Sequence, residues 1–396
     1  ADGAWTLQVT DTLPDGDHSY DVIATDIAGN TDTATGSVTI DTSTNVTATL
    51  FSGSDSGISD TDGITQDTTP TFIGSGEVGA TVVLTIDSKA YSGTVGIDGN
   101  WSINVGNALA DNVYSYQVIA TDIAGNESSV NGSIEVDTLA PVFNGGLNDT
   151  SDSGISNTDN ITNNTKPSFN GASEVGAVIT LSIGGETYSG IADDNGNWQI
   201  TVTSNLTVGN QPYTLTATDT AGNTTVITDS IEVDTSTELT AELSESSVTG
   251  TVENLTQLVN PSFDGTGEVG ATVVLTIDNE SYSSVVDDDG NWSLQVGHSL
   301  SDAAHSYQVV ATDIAGNQAI VGGVVTVDTF TEVTATLALD SDSGISNIDG
   351  ITNVQNPSFS GTAEAGANIQ VEINGQVYTG TTNASGEWSI QVTNAL

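Results

Sequence analysis

One heptapeptide recurs along the whole chain, and its clearest copy is Gly99-Asn100-Trp101-Ser102-Ile103-Asn104-Val105. The same order of turn, Trp, Ile or Leu, and Val surrounds every tryptophan of the chain: Trp5, Trp101, Trp198, Trp292 and Trp388. Neighbouring tryptophans are 94 to 97 residues apart, and a fixed period of this length indicates an array of small domains. Polar residues alternate with the apolar ones after each turn, which is typical of a half-buried β-strand.

The period divides the 396 residues into three full repeats and two partial ones. We name the full repeats I (42–137), II (138–234) and III (235–328). Residues 1–41 are predicted to be the C-terminal part of a repeat, and 329–396 the N-terminal part of another. Each full repeat contains alternating runs for seven short strands and none for a helix. We therefore predict an all-β chain of tandem immunoglobulin-like seven-stranded antiparallel β-sandwiches in a linear array, with the Trp in each core and short, stiff joints.

Acidic residues dominate the composition. The 52 Asp and Glu residues face only Lys89 and Lys166, and the formal net charge is −50. Nucleic-acid binding is excluded because it requires clustered Lys and Arg, whereas cations are the partners that such a charge attracts. The chain has no Cys for disulfides or zinc–thiolate sites, and its lack of sulfur favours an extracellular or cell-surface location. No apolar run approaches the roughly 18 residues of a membrane span, so no membrane insertion is expected in this segment.

Histidine is the first residue type to consider for catalysis. His18, His298 and His305 do not recur at matching positions in every repeat, and no Ser or carboxylate has a recurring histidine partner. A nucleophile–histidine–acid arrangement is therefore not indicated, and neither is a glycine-rich phosphate loop. We expect that the chain is not an enzyme.

Three recurring sets of aspartates are candidate calcium ligands, because Ca²⁺ prefers carboxylate and carbonyl oxygens. The first set lies in a Ser-Asp-Ser-Gly-Ile-Ser loop and at the Asp that follows it. The second lies at the joints between repeats, and the third begins the turn Asp-x-Ala-Gly-Asn. The three sets comprise Asp55, Asp62, Asp152, Asp159, Asp342 and Asp349; Asp41, Asp137, Asp234 and Asp328; and Asp26, Asp122, Asp219 and Asp313.

The expected topology suggests how these sets meet. In an immunoglobulin sandwich, the loop and joint aspartates of one domain would face the Asp-x-Ala-Gly-Asn turn of the next, which is a sensible place for a cation between domains. Repeat III departs from the pattern: counting back from Phe263 places Ser246 and Glu253 at the two loop positions. An alternative stays open, since Asp, Asn, Ser and Gly are also ordinary turn residues whose side chains accept backbone N–H bonds.

Several motifs together resemble a known family. They are T-D-x-A-G-N, D-x-x-G-N-W, E-V-G-A-T-V or E-A-G-A-N-I, and S-D-S-G-I-S before P-x-F-x-G. They look like the tandem bacterial immunoglobulin-like repeats of giant secreted adhesins, including the repeats-in-toxin type and biofilm-associated proteins. The resemblance covers essentially the whole chain. It implies a long extender that holds a terminal binding domain away from the cell, with several Ca²⁺ ions stiffening the joints and the aspartates above as ligands.

The function expected from this reading is a structural extender segment of a large bacterial adhesin, acting in adhesion or biofilm formation. Its partners would be neighbouring repeats of the same protein. The alternative is the subunit of an extracellular filament or sheath, a homopolymer in which the partial end repeats complete each other head to tail. A carbohydrate-binding module is a third possibility, but each Trp has inward parity, so the chain offers no recurring exposed aromatic platform.

Overall fold

The computed structural model describes residues 3–394, and every regular element among them is a β-strand. The chain forms two compact units that divide between Thr235 and Ser236. Residues 3–41 and repeats I and II make up the first unit, and repeat III and the partial repeat after it make up the second. Within the described range there is no helix long and apolar enough to cross a membrane.

The strands follow the sequence period. Residues 3–41 contain β1 (Gly16–Thr25) and β2 (Thr31–Ile40). Repeat I contains β3 (Thr49–Leu50), β4 (Ile64–Thr65), β5 (Thr71–Ser75), β6 (Thr81–Ile86), β7 (Lys89–Thr94), β8 (Asn100–Asn104), β9 (Asn112–Thr121) and β10 (Glu127–Val136). Repeat II contains β11 (Asn144–Leu147), β12 (Ile161–Thr162), β13 (Ser168–Ala172), β14 (Val178–Ile183), β15 (Glu186–Ile191), β16 (Asn197–Thr201), β17 (Gly209–Thr218) and β18 (Thr224–Val233).

The second unit has the same order. Repeat III contains β19 (Glu242–Leu243), β20 (Leu255–Thr256), β21 (Ser262–Thr266), β22 (Thr272–Ile277), β23 (Glu280–Val285), β24 (Asn291–Gln295), β25 (Ala303–Thr312) and β26 (Gln318–Val327). The segment after it contains β27 (Thr336–Leu337), β28 (Ser358–Thr362), β29 (Asn368–Ile373), β30 (Gln376–Thr381) and β31 (Glu387–Gln391).

Each full repeat is a sandwich of two sheets. In repeat I a five-stranded sheet has the order β4-β10-β9-β6-β7, and a three-stranded sheet has the order β3-β5-β8. The all-β prediction is confirmed, but the structure adds an eighth strand to the seven predicted. This strand, β4, is only two residues long and pairs in parallel with β10, whereas the other pairings of repeat I are antiparallel.

The core lies between the two sheets and follows from period-two alternation. Val82, Leu84 and Ile86 of β6 point inward and are at most 1% exposed. They pack with Phe72 and Trp101 of the opposite sheet. Burial of each large apolar side chain contributes about 1.5–3 kcal/mol, so these five positions are a main source of the stability of repeat I.

The tryptophan prediction holds for four of the five copies. Trp101, Trp198, Trp292 and Trp388 are 3–4% exposed. Trp5 is 65% exposed, and residues 3–11 form no strand, so the prediction is wrong for this copy. The physical reason is a missing partner, because no strand among residues 3–41 takes the place of β5, with which the Trp101 strand pairs.

The glycine of the Phe-x-Gly motif allows two chain segments to approach closely beside the tryptophan. A Cβ built on Gly74 would lie 1.9 Å from the Thr47 carbonyl oxygen and 2.7 Å from the Trp101 ring. The same carbonyl accepts the Trp101 indole N–H at 3.1 Å. A side chain at this position would therefore break the contact that fixes the buried Trp.

Candidate metal centres

Three carboxylates converge at the joint between repeats I and II. Asp137 follows β10, Glu174 follows β13, and Asp219 follows β17, so each lies at the end of a strand. One oxygen from each residue lies within 4.8 Å of the other two. Burial raises the pKa of Glu174, and the charges of Asp219 and Asp137 raise it further. Crowding of three acids at this distance is unfavourable unless a positive charge lies among them.

The preceding joint has the same arrangement. Asp41, which follows β2, meets Glu77 and Asp122 of repeat I, again with one oxygen each within 4.8 Å of the others. Asp122 is 7% exposed. Burial acts to raise its pKa, but hydrogen bonds from the Asn126 side chain and nearby backbone amides outweigh burial and hold the pKa of Asp122 below its usual value. Asp122 is thus kept ionised inside the joint.

The Asp-x-Ala-Gly-Asn turn supplies both a candidate ligand and a hydrogen bond across the joint. Asp219 Oδ1 accepts the backbone N–H groups of Gly222 and Asn223 at 2.8 Å. The Asn223 side chain donates to Asp219 Oδ2 and also across the joint to the Asp137 carbonyl oxygen, both at 3.0 Å. Asn126 spans the preceding joint in the same way, to the Asp41 carbonyl at 3.2 Å. The Asn of the motif therefore ties both of these joints directly, whether or not an ion is bound.

Repeat I also touches repeat II through its Ser-Asp-Ser-Gly loop. The Ser56 hydroxyl donates to the Ala221 carbonyl at 2.7 Å, and the Gln66 amide reaches the Gly222 carbonyl at 3.4 Å. Gly57 is packed so tightly that a Cβ would lie 2.0 Å from the Thr220 carbonyl oxygen. The loop of one repeat thus faces the Asp-x-Ala-Gly-Asn turn of the next, as the topology predicts.

The loop aspartates form a separate acidic cluster. Asp55 is 5% exposed; its Oδ2 accepts the Gly63 N–H at 3.2 Å, and its Oδ1 is buried with no hydrogen-bond partner. Burial raises the pKa of Asp55, and the charges of Asp62 and Asp60 add to the rise. The structure therefore brings together the joint and turn aspartates, but it places the loop aspartates in a centre of their own.

The same loop geometry occurs twice more. Asp152 is 5% exposed and Asp342 is 6% exposed, and the Oδ1 atom of each is buried without a partner. Asp152 Oδ2 accepts the Asn160 N–H at 3.2 Å, and burial followed by the charge of Asp159 raises the pKa of Asp152. Asp342 accepts the Gly350 N–H at 3.0 Å, next to Asp349, which accepts the Ile351 N–H at 3.2 Å.

Repeat III corrects one assignment from the sequence. Ser54 and Ser56 accept the N–H groups of Thr71 and Gln66, and in repeat III Ser247 and Thr249 do the same for Ser262 and Gln257. The residue between them, the counterpart of Asp55, is therefore Val248 and not Ser246. The count from Phe263 was wrong because this loop is two residues shorter. Val248 packs against the core, where an aspartate would need a partner.

The other predicted aspartates occupy equivalent positions. Asp313 is 1% exposed and accepts both the backbone and side-chain N–H groups of Asn317 at 2.8 Å. Asp26 makes the same bonds to Asn30 but is exposed. Asp234 follows β18, and its N–H donates to the Thr162 carbonyl at 2.9 Å. Asp328 follows β26 and lines an open cavity together with Glu364.

The glutamate of the joint cluster was missed at the sequence level. The sequence carries a usable signal, because the motif Glu-x-Gly-Ala recurs at the same place in each repeat, with Glu77, Glu174, Glu268 and Glu364. In the sequence this motif contributes to the resemblance to a known family, and its glutamate is not among the three predicted sets of ligands. An acidic residue at the start of a turn, next to two conspicuous aspartate motifs, is the pattern that would have revealed it.

Comparison with known proteins establishes the family. A family model described as "Bacterial Ig-like domain" matches residues 1–42, 43–138, 139–235, 236–329 and 330–396. The chain belongs to the bacterial Ig-like domain family. The predicted resemblance to tandem bacterial Ig-like repeats is thereby confirmed. No curated protein sequence matches the chain.

Solved structures of adhesins and of a large adhesion protein are similar to this chain. One is a Ca²⁺-stabilised adhesin that helps an Antarctic bacterium reach out and bind ice, with 28% identity over 88% of this chain and 90% of that one and a TM-score of 0.32. Another is part of a 1.5-MDa bacterial ice-binding adhesin, with 23% identity over 72% of this chain and 97% of that one and a TM-score of 0.31. A tetra-tandem repeat from the extending region of a large adhesion protein has 20% identity over 89% and 91%, with a TM-score of 0.29.

Proposed function

We propose that this bacterial Ig-like array is a structural extender segment of a large cell-surface or secreted adhesin, and that calcium ions stiffen its joints. The observation that carries the proposal is the convergence of Asp137, Glu174 and Asp219 at the joint between repeats I and II. Two of these residues belong to repeat II and one ends repeat I, so a cation bound among them would hold the two repeats together. We also propose that the three full repeats span residues 42–137, 138–234 and 235–328.

The residues present fit calcium. All the side-chain donors in the joint clusters are carboxylates, the hard oxygen ligands that Ca²⁺ prefers over nitrogen or sulfur. The loop centres fit for a second reason, because Asp55 Oδ1, Asp152 Oδ1 and Asp342 Oδ1 are buried without a hydrogen-bond partner. A buried carboxylate oxygen without a donor is costly, and a bound cation removes that cost.

Calcium would act on a joint that is already short and hydrogen-bonded. The Asn223 and Ser56 side chains fix the contact between repeats I and II, and the ion would neutralise the carboxylates that otherwise repel each other there. An extender needs this combination, since each repeat adds length only while neighbouring repeats keep a constant orientation. The location proposed for such a segment is extracellular or at the cell surface, where calcium is abundant.

The absence of enzymatic activity is a further prediction. That the chain is not an enzyme agrees with the family, and a measured activity would contradict it. The head-to-tail filament gains no support from the family match. The partners that the structure does contain are neighbouring repeats of the same chain.

A calorimetric comparison tests the proposal. Thermal unfolding of the full chain would be recorded in millimolar calcium and in excess chelator, for the wild type, Glu174→Gln and Glu135→Gln. Glu135 is exposed on β10 and gives a control with the same change of charge. We expect calcium to raise the melting temperature of the wild type and the control, and to raise that of Glu174→Gln less. An equal calcium response in all three proteins would refute a ligand role for Glu174.

A further inference from the structure

One corner of repeat III holds an ion pair that lies outside the calcium centres. Asp278 lies in the turn between β22 and β23, and His305 lies near the start of β25. His305 Nδ1 is 2.8 Å from Asp278 Oδ2, and the His305 side chain is 7% exposed. The pair therefore ties the turn after β22 to the beginning of the neighbouring strand β25.

The position of His305 is a corner that other parts of the chain also contain. It is the third residue of β25, and the third residues of β1, β9 and β17 are equivalent to it. Each of these side chains bonds to the carbonyl oxygen four residues earlier. The pairs are His18 with Pro14 at 2.7 Å, Tyr114 with Ala110 at 2.9 Å, Gln211 with Thr207 at 2.9 Å and His305 with Ser301 at 2.9 Å. The corner thus requires one donor, and repeat III adds an aspartate on the other side of the ring.

Both ring nitrogens of His305 face an oxygen that accepts hydrogen bonds. Nε2 donates to the Ser301 carbonyl oxygen, and Nδ1 faces the Asp278 carboxylate. A neutral imidazole has one N–H and a charged imidazole has two, so only the charged ring satisfies both oxygens. The bond to Ser301 raises the pKa of His305, burial opposes the rise, and the bond and charge of Asp278 raise the pKa further.

The groups around the pair leave its charge dependent on His305. Repeat III contains neither Lys nor Arg. His298 Nε2 is 3.9 Å from the same carboxylate oxygen, and its Nδ1 is 2.6 Å from the Tyr282 hydroxyl. Strand β26 places Val325 opposite His305, and Tyr307 of β25 is part of the core. The His298 side chain is 33% exposed and farther from the carboxylate, so His305 is the main partner of Asp278.

We propose that the His305–Asp278 pair is a pH-sensitive clamp, which holds the turn after β22 against β25 and is released when the imidazole loses its proton. A group that holds its proton more tightly in the folded state stabilises that state at low pH and loses this effect as the pH rises. The contribution is complete below the pKa of about 6.5 of a free histidine and decreases above it. Repeats I and II contain no histidine. Repeat III should therefore weaken with rising pH in a range where repeats I and II do not.

Native-state hydrogen exchange of the full chain measures this difference within one molecule. Protection of the β22 amides of repeat III is compared with that of the β14 amides of repeat II, from about pH 6 to about pH 8.5, in constant excess calcium. We expect protection of β22 to fall relative to β14 above about pH 6.5, by up to about tenfold per pH unit, because one proton is involved. A constant ratio of protection over the whole range would refute the clamp.

Substitutions drawn from equivalent positions of the same chain assign the effect. His305→Gln copies Gln211 and should abolish the relative loss of protection in β22. Asp278→Asn copies Asn374, which has the same left-handed φ of 51°, and should reduce the loss. Asp87→Asn makes the same change of charge in the matching turn of repeat I, where φ is 49°, and should leave the loss as in the wild type. A loss of equal size in the wild type and in His305→Gln would contradict the proposal.

The His305 ring reports its proton directly. In the chain labelled with ¹⁵N at histidine, both ring nitrogens of His305 should carry a proton at about pH 6.5. Asp278→Asn should move the titration of His305 to lower pH and leave that of His18 as it is in the wild type. A His305 ring that is already neutral at about pH 6.5 in the wild type would overturn the proposal, and this spectrum decides the question if a variant does not fold.

Discussion

The substitution Asp152→Val gives the loop of repeat II the residue that repeat III carries at the equivalent position, Val248. Asp152 is 5% exposed, with one N–H partner on Oδ2 and none on Oδ1. Without calcium, the wild type leaves part of a buried carboxylate unsatisfied, which costs about 1–3 kcal/mol. We therefore expect the variant to be more stable than the wild type in chelator.

Calcium should reverse this order. An ion that binds only the folded state stabilises it by about 4.1 kcal/mol when its concentration is 1,000 times the dissociation constant. The wild type gains this amount from the loop centre and the variant does not, so the wild type should become more stable by about 1–3 kcal/mol. Any gain from the joint cluster is common to both proteins and cancels in the difference.

Native-state hydrogen exchange of the full chain gives the readout repeat by repeat. The amides of β14 report unfolding of repeat II, and those of β6 report unfolding of repeat I, where Asp55 is unchanged and provides the internal control. A gain of about 4.1 kcal/mol corresponds to roughly a thousandfold slower exchange. If calcium slows exchange in β14 equally in the wild type and in Asp152→Val, the buried carboxylate does not bind the ion.

Two further substitutions probe the sandwich itself. Gly74→Ala should destabilise repeat I by about 3 kcal/mol, because the new Cβ would meet a backbone carbonyl that cannot easily move. Hydrogen exchange of the β6 amides measures this loss of stability. Gly106→Ala is the control, because a Cβ there would have no atom closer than 3.9 Å. Burial followed by the Asp229 charge raises the pKa of Tyr213 to about 12. Because the folded state holds this proton more tightly, repeat II should lose up to roughly 2.7 kcal/mol as the pH rises from 10 to 12, and Tyr213→Phe should lose less in alkaline unfolding.

The sandwich was accessible from the sequence because its signals are local. Alternation places Val82, Leu84 and Ile86 on one face, and the period of the tryptophans makes each repeat confirm the others. The two-residue strand β4 was not predictable, since its parallel pairing with β10 joins residues about 70 positions apart and leaves no alternation to detect. The prediction that Trp5 is buried was wrong for a related reason, because a segment with a strand pattern forms a strand only where a partner strand is available.

The candidate site was only partly predictable. Recurrence pointed to Asp137 and Asp219, and topology brought their loops together. The separate position of Asp55 was not predictable from the sequence, because the burial of one carboxylate oxygen depends on the path of its loop. That Val248 replaces the loop aspartate in repeat III was hidden by the shorter loop, because counting residues back from Phe263 then gives the wrong position. The hydrogen bonds of Ser247 and Thr249 identify the equivalent position directly.

Calcium bridging between repeats I and II is tested most directly by the distribution of distances across their joint. The chain has no cysteine, so Ser102→Cys and Gln199→Cys, both at exposed positions, would carry the only spin labels. Pulsed electron–electron double resonance should give a narrow distribution of label distances in calcium and a broad one in chelator. In the Glu174→Gln variant the distribution should be broad in both conditions. A distribution with the same width in calcium and in chelator would contradict calcium as the ion that stiffens the joint.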